Sequence, residues 1–136
     1  MDNKIIEPDD WDQPRGYSNG VLTRDGLLFV AGQIGWNKSQ QFETQDFASQ
    51  VRQALENVIA VVEASGGIAS DVVRLTWYIT DKHSYLSNLR QVGRVYREIF
   101  GKHFPAMSVV VVQALIEDEA LVEIEATAKL QSHCGR

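Results

Sequence analysis

The chain has 136 residues, enough for one compact domain, and is 44% hydrophobic and 23% charged, which is ordinary for a soluble globular protein. A net charge of −5 gives a mildly acidic surface that repels phosphate backbones and argues against a broad nucleic-acid footprint. A single cysteine, Cys134, excludes an internal disulfide and fits a reducing cytoplasm, while Met1 to Pro8 holds no long apolar run, so neither a signal peptide nor a membrane span is expected.

Residues 1–16 are polar and carry Pro8, Pro14 and Gly16, and they read as an arm or loop leading into the domain. From Tyr17 to Gly35 two apolar runs flank Arg24-Asp25-Gly26, a hairpin signal. The second run, Leu27 to Ile34, is nearly all apolar, which asks for cover on both faces. Residues 44–65 have helical spacing through Phe47, Val51, Leu55, Val58, Ile59 and Val62, with Thr44 as the expected N-cap and Gly66-Gly67 as the stop. Residues 71–80 read as a strand. A second helix is expected over 84–100, started by Asp81 or Ser84 and ended by Gly101. Strands follow near 107–115 and 120–130, joined by a turn at Glu117-Asp118-Glu119, and the polar segment 131–136 is a tail.

The order is β-β-α-β-α-β-β, an α+β domain over 17–130 with a mixed sheet and both helices on one face. Val109 to Val112 is apolar at four consecutive positions, so both faces of that strand want burial. Two helices cannot cover both sides of such a sheet, and self-association through the second face is the simplest remedy.

Three segments carry a resemblance: Gly32-Gln33-Ile34, Phe104-Pro105-Ala106 and Val122-Glu123-Ile124-Glu125-Ala126. Their order and separation, over about Tyr17 to Ala128, resemble the Rid family of enamine and imine deaminases, the YjgF/YER057c/UK114 group. The resemblance implies a chorismate-mutase-like domain forming a homotrimer, with clefts between subunits for a small-molecule metabolite. It also implies hydrolysis of an amino-acid-derived enamine or imine to a 2-oxo acid and ammonia, with no metal or organic cofactor. Carried over residue by residue, Tyr17 closes the cleft, the backbone near Gly32 and Gln33 holds the substrate, and Glu123 positions the attacking water.

One position departs from the pattern. Deaminating members place after Pro-Ala an arginine that clamps the substrate carboxylate; here Met107 stands there. A thioether is apolar and a weak acceptor, so it cannot replace a planar guanidinium. Loss of such a charge-assisted contact, worth ~1.5–3 kcal/mol, weakens carboxylate binding by about one to two orders of magnitude. Arg15, two residues before Tyr17 and on its side of an extended backbone, is a candidate replacement. Gly35-Trp36 follows Gly-Gln-Ile where proline is common, and Trp36 either lines the cleft for a flatter ligand or packs in a loop or interface.

Glu123 and Glu125 alternate along a strand and share a face, opposite Val122, Ile124 and Ala126; they mark either a water-activating site or a solvated sheet face. His83 and His103 lack the spacing of a metal pair, and His103 is placed to meet a helix dipole. Neither Ser18 nor Ser108 has an adjacent His–Asp arrangement, and His133 and Cys134 read as incidental. Three functions remain: a hydrolytic deaminase with altered recognition, a non-catalytic metabolite-binding trimer, and, weakened by the acidic balance and the lack of a histidine pair, a ribonuclease or translation inhibitor.

Overall fold

The computed structural model describes residues 2–131. Six strands form one mixed sheet: β1 (Lys4–Ile6), β2 (Gly20–Leu22), β3 (Leu27–Ile34), β4 (Val72–Ile79), β5 (Ala106–Val111) and β6 (Val122–Lys129). Three helices, α1 (Phe47–Ala64), α2 (Lys82–Ser87) and α3 (Leu89–Phe100), complete the chain. The sheet order is β1-β2-β3-β6-β4-β5. β6 runs antiparallel to both of its neighbours, β3 and β4, and β5 lies parallel to β4. The expected α+β, mixed-sheet fold with its helices on one face is therefore present.

Four local expectations change. The N-terminal arm contains a strand, because Lys4 to Ile6 pairs with Gly20 to Leu22 and buries Ile6. The cap of α1 is Asp46, whose carboxylate accepts from Ser49 N at 3.0 Å, while Thr44 Oγ1 accepts from Asp46 N one step earlier. The second helix is two helices: Asp81 caps α2 through His83 N at 2.9 Å, and the chain breaks at Asn88 before α3. The last two strands are shorter than their apolar runs, and although consecutive in sequence they are not paired, since β4 lies between them.

Other signals hold. Gly66 sits at φ +95°, and the bonds Gly66 N to Glu63 O (3.0 Å) and Gly67 N to Val62 O (2.9 Å) close α1 as a Schellman motif. The Asp25-Gly26 turn links β2 to an antiparallel β3.

The core lies between the sheet and the helices. Leu28 and Val30 from β3, Leu75, Trp77 and Ile79 from β4, and Val122, Ile124 and Ala126 from β6 meet Val51, Leu55, Val58 and Val62 from α1. β6 alternates strictly, which leaves Glu123 and Glu125 on the opposite, open face. There the single chain leaves Phe29 and Val110 exposed, so the doubly apolar strands keep one face uncovered.

Candidate functional site

The site begins with an irregularity in β3. Val30 faces Ala126 and Gln33 faces Ile124, so Ala31 and Gly32 together oppose one residue of β6. Such a bulge leaves one residue out of the ladder and re-aims its neighbours. Buried amides hold the distortion. Glu7 accepts from Asn19 N (2.9 Å) and Asn19 Nδ2 (2.7 Å); Gln33 Nε2 donates to Asn19 Oδ1 (3.0 Å) and to Ala31 O (3.1 Å). Beyond the bulge, Asn57 Nδ2 of α1 donates to Ile34 O (3.1 Å) and Trp36 O (2.8 Å). Gln50 is fully buried and joins three segments, through Thr44 O, Glu119 O and Leu121 N at 2.9–3.0 Å.

Glu123 lies across this bulge. A Cβ built on Gly32 would overlap the Glu123 carboxylate, so the glycine is what lets the acid lie flat on β3. Glu123 is half-buried, and burial first, then the charge of Glu125, raise its pKa above the ordinary carboxylate value. Tyr78, opposite Glu123 on β4, is also raised, by burial and then by Glu125 and Glu123. A cavity of about 340 Å³ opens over these groups, lined by Tyr17, Gly32, Gln33, Trp36, Lys38 and Glu123 among others.

The structure thus brings together five of the seven residues singled out from sequence. Tyr17 is partly exposed at the cavity, and burial, then Glu7 and Glu117, raise its hydroxyl pKa. Trp36 lines the cavity and also packs on Phe42, ring centroids 5.8 Å apart. Gln33 spends its side-chain amide on Asn19 and Ala31 and so shapes the bulge.

Arg15 and Met107 are elsewhere. Arg15 is exposed and does not line the cavity. Met107 pairs with Leu75, whose side chain belongs to the helix-covered face, and lines a second pocket beside α3. Within one chain it is on the other side of the sheet from Glu123. His103 is tied by its ring Nε2 to Val72 O at 2.6 Å, a structural bond rather than the helix-end role expected. Cys134 and His133 lie outside the described residues. Among those described, no three His, Cys, Asp or Glu side chains gather as metal ligands would, and no helix is long and apolar enough to cross a membrane.

Sequence reasoning missed Asn19, Asn57 and Gln50. The last two had a signal: polar residues seven apart inside the apolar stripe of a helix. Trp11, Asp12, Ile116 and Glu117 also reach the cavity from loops and had none.

The profile of the family described as Endoribonuclease L-PSP matches residues 11–130. The chain belongs to the Rid (YjgF/YER057c/UK114) family. Among Rid-family relatives it is 34% identical over 126 residues to a RutC family protein of Pyrococcus horikoshii, covering 92% of this chain and 96% of that one. It is 37% identical over 105 residues to the 2-iminobutanoate/2-iminopropanoate deaminase of Escherichia coli K12, covering 75% and 78% respectively. The crystal structure of E. coli TdcF with bound serine superposes with a TM-score of 0.79 at 33% identity, covering 95% of this chain and 99% of that one.

Proposed function

We propose that this Rid-family chain is a cofactor-independent deaminase that hydrolyses a small enamine or imine, working as a homotrimer with clefts between subunits. The observation that carries the reading is the Glu123 carboxylate held over Gly32 at the floor of the cavity. A carboxylate whose pKa is raised by burial is a better proton acceptor than an exposed one. In this scheme Glu123 takes a proton from water as the water oxygen bonds to the C=N carbon. The proton passes to nitrogen to give a carbinolamine; Glu123 then carries the hydroxyl proton to that nitrogen as the C–N bond breaks, so ammonia leaves and a carbonyl product remains. Tyr17 and Trp36 close the cavity around the substrate, and the bulge at Ala31–Gly32 offers backbone groups to it. Relatives called imino-acid deaminases and a related structure holding serine favour a substrate derived from an amino acid.

The trimer is supported by the open sheet face, where Phe29 and Val110 are exposed and the β5 edge is unpaired. Covering that face with like faces of two other copies would bury the strands that sequence reads as doubly apolar.

The test is ammonia release from freshly generated 2-aminoacrylate and bulkier imines by wild type, Glu123→Gln and Met107→Arg. Wild-type turnover that vanishes in Glu123→Gln is expected. Turnover only in Met107→Arg would overturn the reading.

A second reading has its own observation. The cavity carries Asp12, Glu117 and Glu123 against one lysine, Lys38, which is already paired with Asp10 at 3.0 Å. Such an acidic cavity, without the clamp arginine, suits a binder of a neutral metabolite. That reading predicts ligand-dependent thermal stabilisation with no product.

A further inference from the structure

Three aromatic residues line the cavity that holds Glu123, and they reach it from two stretches of chain. Trp11 and Tyr17 stand in the segment before β2, and Trp36 follows β3. Trp36 is anchored twice: Asn57 Nδ2 donates to its carbonyl at 2.8 Å, and its ring packs on Phe42, the residue it bridges. The turn between them is closed by Asn37 Oδ1, which accepts from Ser39 N at 2.9 Å and Gln41 N at 3.1 Å. Trp11 packs in part against the core. Its neighbour Asp12 donates its backbone N–H to Lys38 O at 3.0 Å, which ties the N-terminal arm to the Trp36–Phe42 turn. The segments that carry the rings are thus held in place before any ligand arrives.

The charge around these rings is one-sided. Asp12, Glu117 and Glu123 face Lys38, the one cation among the described lining residues. Lys38 Nζ is bonded to Asp10 Oδ2 at 3.0 Å, and Asp10 does not line the cavity. Both partners are largely exposed, so the pair adds little stability. Its consequence is electrostatic, because Asp10 cancels the positive charge that Lys38 would bring to the cavity. A carboxylate entering here meets three acids and a lysine already spent. A cation meets those acids and the negative faces of aromatic rings, so both features favour the same guest.

We infer that this cavity selects a small organic cation that carries no carboxylate, the protonated imine of an amine, with its charge against the rings of Trp11, Tyr17 and Trp36. The inference rests on the deaminase reading for the C=N group and narrows the substrate of that same site. An imine made from an amino acid keeps its carboxylate, which the acids repel; an imine made from an amine has none. Protonation also makes the C=N carbon more electrophilic, so the field that draws the cation favours the form that water attacks.

The test has a binding arm and a turnover arm, both on the full chain. Binding is read by calorimetric titration with choline and with its neutral isostere 3,3-dimethylbutan-1-ol. Choline is expected to bind wild type about tenfold more tightly than the alcohol, with a preference that shrinks as salt is added. Trp36→Leu should weaken choline about three- to tenfold and the alcohol little. Glu117→Gln, at an exposed loop position, should weaken choline alone by a few-fold. Asp10→Asn and Lys38→Gln break the same ion pair yet should move choline in opposite directions, the first weakening it by uncovering the lysine and the second tightening it. A merely structural tie would give both the same sign. Turnover is read as ammonia release from the imines freshly generated from phenethylamine and from phenylalanine, which differ by the carboxylate, and the first is expected to be hydrolysed faster. Choline preference with neither imine turned over keeps the inference and sinks the deaminase reading. Equal affinity for choline and the alcohol, no binding of choline, or faster hydrolysis of the phenylalanine imine would overturn the inference, the last while leaving the deaminase reading intact.

Discussion

The two pockets of this chain are built on opposite principles. On the open face, Glu123 stands over a backbone bulge fixed by Asn19, Gln33 and Asn57, each with its hydrogen bonds made. On the helix face, the buried indole N–H of Trp77 has no acceptor beside a pocket with largely aromatic walls, and Arg97 is exposed. The first holds a negative charge at the expense of burial; the second lacks any acid among its lining residues. A polar site made of satisfied groups is rigid and suits positioning of water, whereas the helix-face pocket is walled mainly by packed apolar and aromatic groups.

Breaking the first pocket should have the largest effects. Glu123→Gln removes the base and should cut turnover about 10²–10⁴-fold with little change in fold, as read from ammonia release and circular dichroism. Gly32→Ala forces the carboxylate off the bulge and should cost up to about 10²-fold, since small misplacements are expensive in catalysis. Asn57→Ala takes the donor from the Ile34 and Trp36 carbonyls and should destabilise by about 2 kcal/mol in urea titration.

The pH dependence sharpens the comparison further. In the proposed mechanism Glu123 acts deprotonated, so its raised pKa should place the acid limb of the rate profile above the pH expected of an ordinary glutamate. Glu125→Gln removes the like charge, so the limb should move to lower pH, though only in part, because burial is the larger cause. For stability the sign is the reverse of a salt-bridged acid. A carboxylate whose folded pKa is raised binds protons more tightly folded than unfolded, so its cost is absent at low pH and grows as pH rises from the unfolded to the folded value. Glu123→Gln should therefore gain stability at neutral pH and lose that gain in acid.

Much of the fold was legible because periodicity survives translation into packing. The alternation in β6 put Glu123 and Glu125 on one face, and the stripe of α1 named its core residues before any coordinates. Lys4 to Ile6 was not legible, since three residues give no period and their pairing is set by β2. Asp46 displaced Thr44 as cap because either side chain can serve, and tertiary position decides between them. The site was half legible. The resemblance located Tyr17, Gly32, Gln33 and Glu123, but the bulge that joins them depends on the register of β3 against β6. Within one chain, parity along the paired strands sends Met107 and Glu123 to different faces.

β6 has a further consequence for how the chain is made. It is the last strand in sequence and it occupies the interior of the sheet, with β3 on one side and β4 on the other. The two half-sheets, β1-β2-β3 and β4-β5, therefore share no strand pairing until β6 is made. Each half carries an open hydrogen-bonding edge and apolar side chains for that interval. A fragment ending before Val122 should be a client for chaperones, and the full chain should not.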